Sequence, residues 1–138
     1  MLETIKRAEH MLDHASVFQV ATIDTLGFPN IVALTPLSLD RSLDNIFFYT
    51  THSSSTVKNL ANSTNAAIYC FAEENHSSLM LKGRFLIVSP TTLPDQWQKT
   101  LNQFQQSLNY EDPAILRFTS LAVKVREAGE ITYSDLQE

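Results

Sequence analysis

A run of hydroxyl side chains between residues 50 and 56 is the most chemically informative stretch of the sequence. It follows the apolar segment Ile46 to Thr50 and leads into Val57 to Leu60, which has the character of one or two helical turns. The first N–H groups of a helix lack partners and its N-terminus carries positive potential, so an anion is favoured there. Ser54, Ser55 and Thr56 add hydroxyl donors, and Lys58 supplies the one formal positive charge. The pattern indicates a phosphate site.

The same run has a simpler interpretation. A serine or threonine before a helix most often accepts a hydrogen bond from the helix's own backbone, as an N-cap. From this segment alone, capping and anion binding both stay open.

The four histidines offer weaker candidates. His10 and His14 stand four positions apart with Asp13 beside them, a spacing at which two histidines can share a metal. No third ligand follows at a recognisable spacing, so we interpret them as solvated and predict no metal site. His52 lies in the hydroxyl run, where it either donates to an anion when protonated or is exposed without a role.

Alternating and β-branched segments predict a sheet that must position these groups. The first fourteen residues carry apolar side chains at helical spacing, which predicts a short amphipathic helix. The segments with strand character are Val17 to Ile23, Ile31 to Leu34, Ile46 to Thr50, Asn65 to Phe71, Leu79 to Val88, Leu121 to Val125 and Ile131 to Tyr133. Turn residues separate the first two, which indicates a hairpin. Because closure removes exposed strand edges, such short antiparallel strands favour a barrel over an open sheet.

One longer helix is predicted before the last strands. After Pro94 and Asp95, the side chains of Trp97, Leu101, Phe104 and Leu108 recur at steps of four, three and four, with glutamines between them. This spacing predicts a single amphipathic helix that covers the sheet.

Length and composition limit the classes of function. The 138 residues predict a single domain, 1–138, and 43% hydrophobic against 18% charged residues is typical of a globular chain rather than a disordered or membrane-spanning one. A net charge of −5 with ten Lys and Arg argues against nucleic-acid binding. The single cysteine, Cys70, excludes an internal disulfide, and the N-terminus lacks a signal-peptide pattern. We therefore expect a cytoplasmic protein with no membrane association.

The order of these segments resembles the pyridoxamine 5′-phosphate oxidase-like family of flavin-binding split barrels. No single motif is specific, but the succession spans about residues 17 to 88 in the family's order and spacing. The resembling stretches are Val20 to Asp24 with Gly27 to Pro29, Phe47 to Thr50 with Ser54, Lys58 and Leu60, Asn65 to Ile68, and Leu79 to Arg84.

The resemblance implies a mainly β fold: a six-stranded antiparallel split barrel of Greek-key type, with an N-terminal helix and a short helix after the third strand. It also implies a homodimer that holds FMN in a groove between subunits. The phosphate would lie against Thr50, Thr51, Ser54, Ser55, Thr56 and Lys58, and the flavin ring along Leu34, Thr35 and Pro36. The implied activity is that of a small FMN-dependent oxidoreductase of unknown substrate. No catalytic side chain is named.

The sequence departs from the family at the phosphate loop. Flavin-binding members commonly carry Ser-Arg-Lys where this chain has Ser54, Ser55 and Thr56, so two cations are missing. The groups that could replace these two cations are Lys82, Arg84 or a residue of a partner subunit. The arginine-bearing C-terminal segment of the authentic oxidase is also missing, so we do not expect vitamin B6 oxidation. The second hypothesis is a non-catalytic regulatory dimer that has lost tight flavin binding or binds another planar ligand such as haem.

Overall fold

The computed structural model describes residues 2–136 and contains one seven-stranded antiparallel sheet with three α-helices packed around it. The mainly β, split-barrel architecture predicted from the sequence is confirmed. Within the described residues, no helix combines the length and the apolar composition needed to cross a bilayer.

The first helix and the first hairpin form where the sequence predicts them. Helix α1 spans Leu2–His14 and buries Ala8, Met11 and Leu12. Strands β1 (Phe18–Ile23) and β2 (Pro29–Leu34) pair antiparallel, from Phe18 opposite Leu34 to Ile23 opposite Pro29. The connecting turn is held by Asp24, whose Oδ1 accepts from the backbone N–H groups of Leu26 and Phe28 at 2.9 Å each.

The remaining strands extend this hairpin into a barrel wall. They are β3 (Ile46–Thr51), β4 (Asn65–Ala72), β5 (Ser77–Val88), β6 (Pro113–Glu127) and β7 (Glu130–Asp135), with helix α2 (Ser55–Leu60) between β3 and β4. The strand order is β2-β1-β4-β5-β6-β3, and β7 pairs with the other end of β6. The path therefore starts at β2 and ends at β3.

The barrel closes at one end and splits at the other. Just after β2, the N–H of Leu37 donates to the carbonyl of Phe47 over 2.8 Å, and Pro36 bridges to Phe48. Along Pro29–Leu34 itself, β2 pairs with β1 alone among the described residues, so its outer edge is free. The split lies between this free edge and the β3–α2 segment.

The core fills the barrel interior with aromatic and aliphatic side chains. Phe18, Phe48, Phe85 and Phe118 are at most 1% exposed, and successive rings lie 5.1–5.8 Å apart, edge to face. Aromatic side chains bury large apolar areas and prefer this geometry, so the cluster holds the two halves of the sheet together.

The chain before β6 differs from the single long helix predicted there. Trp97–Thr100 forms one 3₁₀ turn, Leu101 is extended, and α3 begins anew and spans only Gln103–Leu108. Asn102 caps α3 with a reciprocal capping box to Gln105, and this local signal restarts the helix. Phe104, predicted on the apolar face, is 57% exposed, so the prediction of one continuous helix is wrong in its extent.

Strand β6 is longer than predicted. The predicted strand covered only Leu121 to Val125, whereas β6 also includes residues 113–120, which pair with β3 on one side and β5 on the other. Both faces of this part of β6 are covered, with Leu116 in the barrel core and Ile115 in a second cluster with Leu93 and Trp97, which hides the alternation on which the prediction depended.

Candidate functional site

Ser54 is the N-cap of α2. Its backbone is extended, with φ −68° and ψ 152°, and its Oγ accepts from the N–H of Val57 at 3.2 Å. Its carbonyl accepts from the N–H of Lys58 at 3.1 Å. The capping role suggested by the sequence is therefore present. A cap of this kind still leaves other N–H groups of the first turn free to donate.

The other predicted phosphate ligands divide into buried and accessible groups. Thr50 and Thr56 are 2% and 3% exposed, so both face the interior. The Thr51 hydroxyl donates to the carbonyl of Asp112 over 3.0 Å, which ties the loop to the chain before β6. Ser55 and Lys58 are exposed, and these are the predicted donors that an external anion reaches most directly.

The predicted ring-contact residues lie on the opposite flank of the split. Leu34 is half-buried and packs against the core, as Val57 of α2 does from the other side. The carbonyl of Thr35 accepts from the N–H of Tyr49 at 3.5 Å, so Leu34 to Pro36 run beside the strand that ends at Thr50. The predicted ring-contact residues thus lie beside β3, the strand that leads into the hydroxyl run.

Gln105, one of the glutamines between the apolar residues of the predicted helix, holds Thr35 and Pro36 in place. Gln105 is fully buried, and its Nε2 donates to the hydroxyl of Thr35 and to the carbonyl of Pro36, both at 3.1 Å. Pro36 is buried, whereas Leu34 and Thr35 are half-buried. The Asn102/Gln105 capping pattern was the one available signal that residue 105 has a structural role.

Lys82 and Arg84 lie apart from the hydroxyl run of residues 50–56, which is called the hydroxyl loop below. They line a cleft of about 550 Å³ on the outer face of the sheet, together with small side chains that include Ala21, Ala67 and Ala122. No residue from 50 to 58 lines this cleft. Within one subunit, the formal positive charge of the loop is therefore that of Lys58.

The histidines do not gather with other potential metal ligands in the described part of the chain. His10 and His14 stack with ring centroids 4.4 Å apart, and Nδ1 of His14 lies 2.8 Å from the carbonyl of His10. No group of three or more potential ligands occurs in residues 2–136. His52 is exposed at the mouth of the loop, where its backbone N–H donates to the carbonyl of Asp112 over 3.1 Å.

Comparisons by sequence give no relative: no protein-family model and no curated protein matches this chain. Comparisons by structure do. A protein related to general stress protein 26 of B. subtilis (pyridoxinephosphate oxidase family), from Clostridium acetobutylicum, superposes with a TM-score of 0.75 at 18% identity. The match covers 97% of this chain and 95% of that one.

Two further solved structures with this fold are named for two different ligands. A pyridoxamine 5′-phosphate oxidase-related, FMN binding protein from Nostoc punctiforme matches with a TM-score of 0.66 at 13% identity, covering 99% of this chain and 95% of that one. A heme binding protein from Mycobacterium smegmatis matches at 0.76 and 15%, covering 96% of this chain and 57% of that one. The resemblance drawn from the sequence is thus confirmed as a shared fold, one on which both FMN-binding and heme-binding proteins are built.

Proposed function

We propose that two copies of this chain bind FMN between them, with the phosphate against the turn that connects β3 and α2. The observation that carries the proposal is that Ser55 and Lys58 are exposed in the capped first turns of α2, directly after β3. Half-buried Leu34 offers apolar surface on the other flank, as a flavin ring requires.

The donor set fits a phosphate in type, but it is poor in charge. The first turn of α2 supplies N–H groups, Ser55 a hydroxyl and Lys58 one ammonium group. Charge-assisted hydrogen bonds are about twice as strong as neutral ones. A loop with a single lysine therefore binds a phosphate dianion more weakly than one with three cations, and we expect FMN to exchange rather than stay tightly bound.

The second copy supplies what one subunit lacks. The alanine-lined cleft lies on a sheet face where Ala21 pairs with Ala67, and Lys82 pairs with both Ala67 and Ala122. Small side chains let a second sheet approach closely. Neither Lys82 nor Arg84 has a carboxylate within ion-pair distance in the described chain, so either can approach an anion held by the partner.

In such a site the flavin supplies the electron chemistry, and the protein binds it, orients it and excludes water. The turn at Ser54 would hold the phosphate, and Leu34 would contact the ring. We therefore propose an FMN-dependent oxidoreductase without assigning a catalytic side chain or a substrate.

FMN titration of designed variants tests the proposal. Ser54→Asp keeps an N-cap acceptor but adds a negative charge at the phosphate position, so we expect α2 to stay intact while quenching of FMN fluorescence is lost. Ser55→Arg adds a cation at an exposed position and should tighten binding about tenfold or more. Thr56 is unsuitable for the same change, because a lysine there would bury its charge.

Ser16→Arg is the matched control, since it adds the same charge at an exposed serine outside the loop. The proposal fails if the unmodified protein at micromolar concentration does not quench FMN, or if Ser54→Asp binds as well as the unmodified protein. Light scattering tests the dimer separately, and a monomer that binds FMN would contradict the shared groove alone.

A second candidate function is haem binding by a non-catalytic dimer. Two observations favour it. The loop has a single cation, Lys58, which is little charge for tight binding of the FMN phosphate, and it contains an exposed histidine, His52. A neutral imidazole is a common axial ligand of haem iron.

The absorption spectrum separates the two candidates. Haemin titration should give a Soret band that His52→Ala shifts or removes, while His76→Ala, another exposed histidine, leaves it unchanged. A flavin-binding groove that merely lacks charge should instead gain FMN affinity in Ser55→Arg.

A further inference from the structure

The tip of the β1–β2 hairpin, residues 24–28, presents large apolar side chains to solvent. Leu26 is 80% exposed and Phe28 is 64% exposed. Pro29, which follows the tip, lines the alanine-lined cleft together with Ala21. Apolar surface therefore runs from the tip onto the sheet face that the proposed dimer covers. Contiguous apolar patches of this kind mark interaction sites on protein surfaces.

The tip is held in one conformation by its own backbone and by the chain that follows α2. The N–H of Asp24 donates to the carbonyl of Phe28 over 2.9 Å, and the N–H of Gly27 donates to the carbonyl of Asp24 over 3.0 Å. The side-chain amide of Asn62 donates to the carbonyls of Ile23 and Asp24, at 3.4 Å and 2.9 Å. Because a preorganised loop loses little conformational entropy on binding, the tip can enter an interface at low entropic cost.

A second cleft lies on the same sheet face, at the other end of the strands. It measures about 300 Å³ and is called the aromatic cleft here; its lining residues are Tyr69, Phe71, Ser78, Met80, Lys124 and Arg126. Tyr69 stands two residues from Ala67 on β4, so its side chain is on the face of the alanine-lined cleft. Phe71 is 54% exposed. The aromatic cleft is therefore a second apolar surface that one copy of the chain leaves uncovered.

The aromatic cleft and the tip are complementary in charge. Lys124 and Arg126 have no carboxylate within ion-pair distance in residues 2–136, where the ion pairs found all involve Arg7. Asp135 lines a neighbouring groove with Lys124 but forms no ion pair with it. The carboxylate of Asp24, at the base of the tip, accepts hydrogen bonds from neutral amide groups only. An acidic, apolar tip thus matches a basic, apolar cleft.

The tip and the aromatic cleft lie on opposite sides of the alanine-lined cleft. Ala21 on β1 pairs with Ala67 on β4, and the two strands run antiparallel. Asp24 lies about 10 Å from Ala21 toward one end of the sheet, and Phe71 lies about 13 Å from Ala67 toward the other. Across the sheet, the tip adjoins β2, whereas the aromatic cleft lies on β4 and the two strands beyond it.

A symmetric dimer brings these two surfaces together. A two-fold axis through the alanine-lined cleft, perpendicular to the sheet, exchanges the opposite ends of the face. Each tip then lies over the aromatic cleft of the other copy.

We propose that, in the dimer, the β1–β2 tip of each copy inserts into the aromatic cleft of the other copy. The apolar side chains of Leu26 and Phe28 pack on the aromatic rings and on Met80, and Asp24 lies near the two cations of that cleft. The inference rests on the proposed function, from which it takes the second copy over the alanine-lined cleft. It goes beyond that function in assigning two equivalent contacts, each built from both copies.

Cross-linking of designed cysteines tests this contact in a Cys70→Ala background, which removes the native thiol. Leu26→Cys and Ser78→Cys place one thiol on the tip and one in the aromatic cleft. Diamide oxidises the two thiols to a disulfide and is itself reduced to the hydrazine. We expect a closed covalent dimer on a non-reducing gel, because within one copy the two positions lie at opposite ends of the face, too far apart for a disulfide.

The matched control is Leu26→Cys with Ser107→Cys, which places the second thiol at an exposed serine of α3. This pair should not cross-link above the level of random collision.

Substitutions of exposed apolar residues test the same contact without a covalent bond. Phe28→Ser should weaken the dimer about tenfold or more in sedimentation equilibrium, because it removes a side chain that the partner buries. Phe104→Ser is the matched control, since Phe104 on α3 is 57% exposed and lies outside both surfaces.

Charge reversal tests the basic side of the contact. Lys124→Glu with Arg126→Glu should also weaken the dimer, and added salt should reduce the difference from the unmodified protein. Lys6→Glu with Lys99→Glu reverses two exposed cations elsewhere and is the control.

The inference fails if the unmodified protein is a dimer but the Leu26/Ser78 pair cross-links no more than the Leu26/Ser107 pair. Equal dimerisation of Phe28→Ser and Phe104→Ser would overturn it as well. FMN quenching is read on the same samples. A dimer that binds FMN without the specific cross-link overturns this inference alone, whereas a cross-linked dimer that does not quench FMN overturns the proposed function alone. A monomer overturns both this contact and the shared groove.

Discussion

The side-chain amide of Gln105 donates to the hydroxyl of Thr35 over 3.1 Å, joining positions that are 70 residues apart in the sequence. The same nitrogen reaches the carbonyl of Pro36. Through this one group, α3 holds the segment that closes the barrel between β2 and β3 and that borders the split.

Gln105→Ala should therefore weaken both the fold and the split. Removing a buried hydrogen-bonding partner leaves polar groups unsatisfied, which costs about 1–3 kcal/mol each. We expect a loss of unfolding free energy in this range in urea denaturation. Gln103→Ala, at an exposed position of the same helix, is the control and should change stability by less than about 0.5 kcal/mol. Equal stability of the two variants would contradict the anchoring role of Gln105.

Gly83→Ala should be strongly destabilising. The sheet register shifts between Lys82 and Gly83, and a Cβ at residue 83 would overlap the carbonyl oxygen of Thr119 and lie 2.9 Å from Cζ of Phe118. Overpacking of this kind costs roughly 1–3 kcal/mol or more, because backbone rather than a flexible side chain must move. The measurement is the midpoint of thermal or urea unfolding.

Gly129→Ala provides the comparison for that experiment. Its φ of +80° strains an alanine, but no atom lies within 4 Å of the added Cβ. We expect a cost of about 1–2 kcal/mol from conformation alone. If Gly83→Ala costs no more than Gly129→Ala, close approach of β5 and β6 is not what requires the glycine.

How regular a segment's local pattern is decides whether the sequence predicts its structure. Elements with regular alternation or helical spacing, such as α1 and the β1–β2 hairpin, were predicted correctly, because their pattern is local. The long helix was not, because the spacing of Trp97, Leu101 and Phe104 is also compatible with two short helices separated by an extended residue. At Asn102, capping chemistry outweighed periodicity.

Only part of the candidate site could be predicted, because the sequence shows local patterns but not contacts between distant segments. Ser54 as a cap follows from local sequence. Burial of Thr56 and the role of Gln105 depend on partners across the sheet, at sequence distances that no local pattern records. Lys82 on β5 and Lys124 on β6 likewise come close only through the strand register, as diagonal neighbours.

Arg41 provides a third prediction, on the end of α1. Its Nη1 donates to the carbonyls of Leu12 at 2.8 Å and Ala15 at 2.6 Å, carbonyls that lack intrahelical partners. Arg41→Met keeps much of the apolar stem but removes both bonds, and hydrogen bonds to a charged group contribute about 1.5–3 kcal/mol. We expect a stability loss in that range and faster amide hydrogen exchange in α1. Lys99→Met, an exposed cation, is the control; a similar loss there would show that charge alone is responsible.

The pH dependence of stability supplies the last prediction. Burial raises the pKa of the Cys70 thiol to about 11, against an ordinary value of 9.0. Above pH 9 the unfolded chain releases this proton while the folded chain retains it, so unfolding is favoured as pH rises toward 11 and the contribution is constant below pH 9. Burial raises the pKa of Tyr49 as well, which acts in the same direction above pH 10. The informative window is therefore pH 8 to 10.

Cys70→Ala isolates the thiol in that window. At pH 8 the variant should be less stable than the unmodified protein, because it loses buried contacts. Its deficit should shrink as pH rises to 10, since the variant has no thiol to ionise in the unfolded state. Urea denaturation under reducing conditions at pH 8, 9 and 10 measures this difference. A deficit that stays constant across the three values would mean that Cys70 titrates alike in the folded and unfolded chains, contrary to its burial between β1 and β5.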